Sequence, residues 1–241
     1  MLHSSGLSGR QWRRLAPLVA ARGFRAVVPD FTGHGASDPW PEPRSFSVRT
    51  DVDNFVTLLE AEGPAHVVGH SYGALVGLLA ALASPAYVRS LALFEPVAFG
   101  ALAASDAEPR AELGRIDFRW GAADDREHWL RTFVDYWGGD GAWAALREEA
   151  RAEFRRVGWV VREGVRTLME DTTPAAAYQV IRCPVTLMTG ARSPLAARTV
   201  VERLGESLPD ARVVTIPGAG HMAPLTHAGL VNTVVLAALA E

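Results

Sequence analysis

The stretch Gly69-His70-Ser71-Tyr72-Gly73 puts a serine between two glycines, after an apolar run, Ala65-His66-Val67-Val68, and before a small-residue helical stretch, Ala74 to Ala83. A serine hydroxyl attacks a carbonyl only when a base takes its proton and amide donors receive the charge that forms. Strand, sharp turn and helix in that order meet part of this need. The turn lifts the Ser71 hydroxyl out of the sheet, and the first amides of the following helix face whatever it attacks. So tight a turn leaves no room for flanking side chains, hence Gly69 and Gly73. The plain alternative is an ordinary strand-to-helix turn carrying an exposed serine.

A base is available in Pro217-Gly218-Ala219-Gly220-His221-Met222, a loop after the last apolar run. A loop there can hold an imidazole over the carboxyl edge of a sheet, where His221 would accept the Ser71 proton and later return it. His227 falls inside the final helix pattern and reads as structural. His70 adjoins the nucleophile but should point away from the reacting face. His34 reads as a loop residue. Asp30 could be an acid behind the site, though capping the amides of the next turn is the more ordinary use of a carboxylate there.

The elements that must carry these residues alternate. A helix pattern runs from Arg10, with Trp12, Leu15, Leu18 and Val19 at helical spacing, and Gly23 ends it. Phe24 to Asp30 reads as a short buried strand, Ser47 to Glu60 as an amphipathic helix with Val52, Phe55, Leu58 and Leu59 inward, and Val88 to Phe94 as another buried strand ending in Glu95-Pro96. Residues 97–177 then break the alternation: apolar and charged residues mix at helical spacing, and Trp120, Trp129, Trp137, Trp143 and Trp159 fall there. This reads as an inserted helical cap whose tryptophans mostly form its own core, with one or two lining a pocket. The sheet pattern resumes with Pro184 to Thr189, a helix from Leu195 to Leu208, a strand from Ala211 to Ile216, and a closing helix to Ala240. Strands alternating with helices imply an α/β architecture, a mostly parallel sheet flanked by helices, with residues 1–96 and 178–241 as its core.

Composition narrows the function classes. The 241 residues are 49% hydrophobic and 21% charged, as in a soluble globular protein, with a formal net charge of −3 that gives nucleic acid or an acidic membrane no purchase. Every basic residue is arginine. The single cysteine, Cys183, excludes an internal disulfide, fits a reducing cytoplasm and reads as buried and inert. No signal peptide and no apolar run long enough for a bilayer is present. No residues have metal-ligand spacing, so neither metal nor cofactor is expected; the partner expected is a small-molecule substrate.

The stretches His3-Ser4-Ser5-Gly6, Pro29-Asp30-Phe31-Thr32-Gly33-His34-Gly35-Ala36-Ser37, Gly69-His70-Ser71-Tyr72-Gly73 and Gly218-Ala219-Gly220-His221 together resemble a capped α/β-hydrolase of the bacterial serine-hydrolase, esterase-like type. The resemblance covers nearly the whole chain outside the cap. It implies an oxyanion hole formed by the backbone amide of Tyr72 and one from the His3 loop, that of Ser5. The family usually has His-Gly in that loop; here Ser4 stands in for the glycine. It also implies that the loop with His3 should follow a strand lying between the Phe24 strand and the elbow strand, of which only Met1 and Leu2 are present, and that two further strands are missing before it. A chain truncated relative to the natural protein is the expectation.

The acid of the triad departs from the family pattern. Members often read Gly-x-x-Asp after the Pro184–Thr189 run; this chain reads Gly190-Ala191-Arg192-Ser193, and serine cannot hold the charge that stabilises an imidazolium. The fold offers a second location, the end of the preceding strand, which some haloalkane dehalogenases use and where Glu95 sits in the order Ser, Glu, His. The alternative is that Glu95 bonds only nearby amides while a backbone carbonyl orients His221. The expected activity is hydrolysis of a small ester, lactone or thioester through an acyl-enzyme. A C–C bond hydrolase, an acyltransferase, a perhydrolase, or a non-catalytic binder on the same fold stays open.

Overall fold

The computed structural model describes residues 1–116 and 123–240. Four apolar runs form strands: β1 (Ala65–His70), β2 (Val88–Phe94), β3 (Val185–Gly190) and β4 (Ala211–Ile216). They pair in the order β1-β2-β3-β4, all parallel, with His70 opposite Phe94, Phe94 opposite Met188 and Gly190 opposite Ile216. Successive side chains alternate between faces, so Val67, Leu91, Leu93 and Leu187 join one core while Val68, Ala92, Phe94 and Met188 join another. Burial on both faces explains why β2 and β3 read as continuous apolar runs, and the edge strand β4 does not.

Helices cover the two faces. On one side lie α1 (Ala16–Ala20), with Leu15 and Val19 inward, and the closing helix. On the other lie α2 (Val48–Glu62) and α3 (Tyr72–Ala83). The Ser47 hydroxyl caps α2 by accepting from the Arg49 amide at 3.3 Å, and α2 buries Val52, Phe55 and Leu59. Helix α3 is buried nearly all round because it runs between the sheet and α2.

Between β2 and β3 the chain forms α4 (Ala107–Gly114), α5 (Ala123–Gly138), α6 (Ala142–Ala145) and α7 (Glu148–Glu170), and no strand occurs among the described residues of 97–177. Trp129 and Trp143 are buried there, Trp159 donates to the Arg44 carbonyl at 2.9 Å, and Trp120 lies outside the described residues. The chain ends with α8 (Leu195–Ser207), α9 (Ala223–Thr226) and α10 (Ala228–Ala238). Asp106 pairs with Arg203 of α8 at 2.6 Å, and Glu112 accepts from the Ala196 amide at 2.6 Å. The second contact places a carboxylate at the N-terminus of α8, where no side chain of α8's own caps the free amides.

Three expectations are corrected. Phe24 to Asp30 is not a strand; it runs half-buried with no ladder. Its neighbour toward β1 is Met1, whose amine donates to the Val27 carbonyl at 2.7 Å, and Leu2 makes a single parallel bridge to Gly69. One bridging residue cannot supply the repeated donors and acceptors that a ladder requires. A cleft of about 350 Å³ opens beside this segment, between Phe24, Ala26 and the outer edge of β1. The helix pattern from Arg10 is likewise split, into a tight turn at Gly9–Trp12 and the short α1, with Pro17 in α1's first turn. Cys183 is free, as expected, but half-buried rather than buried.

Candidate active site

Every candidate site residue from the sheet leaves a strand at its carboxyl end: Ser71 follows β1, Glu95 follows β2, and His221 lies in the loop after β4. Parallel strands of matched register bring those ends to one edge, which is where open α/β sheets place ligands.

Ser71 holds φ 56° and ψ −117°, a backbone state that a side chain disfavours, and its amide donates to the Phe94 carbonyl at 2.8 Å. The flanking glycines are there for contact. A Cβ on Gly69 would stand 2.7 Å from the Gly73 carbonyl oxygen, and one on Gly73 would stand 2.5 Å from the carbonyl oxygens of Leu2 and His3. The second contact also presses the His3 loop against the turn.

Three amides of that loop have partners. Ser4 N–H donates to Gln11 Oε1 at 3.0 Å, Gly6 N–H to His34 Nε2 at 3.1 Å, and Leu7 N–H to the Ser4 carbonyl. The amides of Ser5 and Tyr72 have no hydrogen-bond partner among the described residues. Ser5 and Ser71 line one cavity, of about 160 Å³, together with His221.

Glu95 is fully buried, with φ 46°. Its Oε1 accepts from Thr189 Oγ1 and the Gly190 amide, both at 2.7 Å, and its Oε2 meets His221 Nδ1 at 2.6 Å. Burial alone would raise the Glu95 carboxyl; the His221 bond and charge, the nearby Ser193 hydroxyl and the Gly190 amide outweigh it and hold the group below the usual carboxylate range. Ser193 itself is buried beside Glu95 without reaching hydrogen-bond geometry. With Nδ1 donating to Glu95, the proton-accepting nitrogen of His221 is Nε2. The Trp137 ring covers the imidazole, with centroids 4.0 Å apart and planes tilted by 34°.

Residues that the sequence reading passed over hold these parts in place. His34 is buried; its Nδ1 meets the Thr32 carbonyl at 2.9 Å, and its Nε2 takes the Gly6 amide. The available signal was Gly33-His34-Gly35, whose glycines hold φ 76° and 54° and fold the turn back beneath the His3 loop. His70 does point away from the cavity, but its Nε2–H donates to the His221 carbonyl at 2.9 Å, and burial keeps its ring well below the ordinary histidine range, hence neutral. Asp51 accepts from the Tyr72 hydroxyl at 2.8 Å and from Thr32, which fixes the residue carrying one spare amide. It sits in the first turn of α2, where burial pushes its carboxyl up. Asp30 takes the plain role, accepting from the amides of Gly9 at 2.6 Å and Ala36 at 2.9 Å. The His227 ring meets the Thr226 hydroxyl at 2.9 Å. Among the described residues no cluster of His, Cys, Asp or Glu could hold a metal ion, and no helix is long and apolar enough to cross a membrane.

The model of the alpha/beta hydrolase family matches residues 1–234. The chain belongs to that family. This hydrolase is 33% identical over 237 residues to a pimeloyl-[acyl-carrier protein] methyl ester esterase from Chromobacterium violaceum, covering 94% of this chain and 88% of the relative. Among solved structures, a hydrolase from Pseudomonas aeruginosa superposes with a TM-score of 0.76 at 24% identity, covering 100% of this chain and 89% of the other. The 2-hydroxy-6-oxo-6-phenylhexa-2,4-dienoate hydrolase of Rhodococcus superposes at 0.73 and 21% identity, again covering 100% and 89%. These two likenesses establish the fold, and the hydrolase is an enzyme of this type.

Proposed function

We propose that this hydrolase cleaves a small carboxylic ester through an acyl-enzyme, with Ser71 as nucleophile, His221 as general base and Glu95 as the triad acid. The observation carrying this reading is the contact of 2.6 Å between His221 Nδ1 and Glu95 Oε2, beside a cavity that His221 shares with Ser71. Ser71 Oγ adds to the carbonyl carbon as His221 Nε2 takes its proton, and the charged Glu95 stabilises the imidazolium. The oxyanion is received by the spare amides of Tyr72 and Ser5, each such donor being worth roughly 3–4 kcal/mol. Collapse expels the alcohol, protonated by His221, and water repeats the sequence to release the acid.

Residues 97–177 serve as a cap, contributing Phe133, Trp137 and Leu146 to the cavity wall. The ester named for the Chromobacterium violaceum relative supports this substrate class. A small molecule is then the partner, with no cofactor, and the single cysteine supports a reducing, cytoplasmic setting.

Labelling by a fluorophosphonate tests the reading. Wild type should label at Ser71 and turn over p-nitrophenyl acetate, while Ser71→Ala should do neither. A protein that binds ligand but never labels would instead be a non-catalytic member of the fold.

A further inference from the structure

The cavity beside Ser71 is small, and the described residues of its walls carry no formal charge. Phe133, Val134, Trp137, Leu146, Phe154 and Met222 supply most of the surface; its polar side chains are Ser4, Ser5, Ser71 and His221, and among the described residues no Asp, Glu or Arg lines it. At about 160 Å³ it matches a cavity of about 150 Å³ that holds one benzene molecule, and it falls well short of the roughly 300 Å³ at which drug-sized pockets begin. On one side Leu7, Phe154 and Leu225 line both this cavity and an open groove of about 430 Å³, edged by Arg10, Arg13 and Arg14. One half of an ester at Ser71 can therefore be enclosed while the other lies in the open.

Resting on the ester-hydrolase reading, we infer that the enclosed half is the acyl group, and that this enzyme selects compact, uncharged acyl groups of about six non-hydrogen atoms. Two physical reasons combine. A longer chain must either displace packed aromatic walls or thread past Trp137, whose ring centre lies 4.0 Å from that of His221 and 6.5 Å from that of Phe99. An acyl group ending in a carboxylate would lose its hydration and find no cation in the wall, which strongly disfavours its entry.

The test is kcat/KM on p-nitrophenyl acetate, butyrate, pentanoate and octanoate, with p-nitrophenyl hemisuccinate as the charged counterpart of pentanoate. Acetate and butyrate should be cleaved at least about 10-fold better than octanoate, and hemisuccinate at least about 100-fold worse than pentanoate. Leu146→Ala, and separately Trp137→Ala, should raise the octanoate-to-butyrate ratio about 10-fold or more, a ratio that cancels any change in active fraction. Octanoate or hemisuccinate within about 3-fold of its comparator would overturn the inference, as would a cut-off that neither variant moves. Failure of the ester-hydrolase reading has its own signature: no fluorophosphonate labelling of Ser71 and no turnover of any ester in the series.

Discussion

Ser71 and Glu95, one residue past the ends of the paired strands β1 and β2, are the two non-glycine residues with positive φ among those described. The Ser71 amide binds the carbonyl of Phe94, the residue before Glu95. Both side chains are thereby turned off their strands toward the same edge, one into the cavity and one to His221. Strain of this kind persists only where surrounding structure enforces it, and it concentrates at working sites.

The first prediction concerns that strain. Ser71→Ala should abolish turnover and leave stability nearly unchanged, since the backbone state is retained. Ser71→Gly should also abolish turnover but melt about 2–4 °C higher, because relief of roughly 1–3 kcal/mol of strain exceeds the roughly 0.5–1 kcal/mol that glycine loses in chain entropy. Equal melting temperatures for the two variants would show that the turn is unstrained.

Glu95→Gln keeps the size of the side chain and removes its charge. An analogous acid-to-amide change in a triad lowers kcat by about 10⁴, and a loss of about 10²–10⁴ is expected here. Adding Ser193→Asp, beside the same site, should recover part of it. Retention of more than about half the activity in Glu95→Gln would remove Glu95 from the triad.

Gly73→Ala should be far more damaging than its size suggests. The new Cβ would stand 2.5 Å from two backbone carbonyl oxygens, those of Leu2 and His3, which no rotamer change can clear. Loss of Ser71 labelling is expected, with a melting temperature lowered by several degrees. The check is circular-dichroism melting alongside labelling; a variant that labels like wild type would mean that the His3 loop yields freely.

Stability should fall on acidification before carboxylates titrate. Burial lowers His3 from 6.5 to about 3, and lowers His34 and His70 as well. The unfolded chain then takes up protons near pH 6.5 that the folded chain refuses, so unfolding free energy drops as pH falls below 6.5, by about 1.4 kcal/mol per unit for His3 until pH nears its folded value of about 3. Glu95 acts lower: its carboxyl is held below its usual range when folded, so its contribution is present above about pH 4.5 and is lost as pH falls through the folded value. Urea unfolding at pH 7, 6 and 5 should show a steep decline over that span. A flat profile would contradict neutral, buried imidazoles.

The candidate site residues Ser71 and His221 are legible in the chain because each rests on local rules. Ser71 needs a strand, two glycines and a helix, all contiguous; the bounds of β2 match the sequence reading because a buried strand is a short apolar run with clear breaks. The pairing of Glu95 with His221 spans 126 positions, and the sequence offered it only as one of two uses for a strand-end acid. Tertiary structure decided it, because parallel register brings separate strand ends to one edge. It decided Asp51, His34 and His70 for the same reason: their roles lie in contacts with residues distant in sequence, invisible to periodicity. Phe24 to Asp30 marks the opposite limit. Its composition suits a strand, yet a strand exists only through a neighbour's hydrogen bonds, and here the neighbouring chain is Met1 and a single bridge at Leu2. Composition can state what a segment could pair with, but only the packed molecule states whether the partner is there.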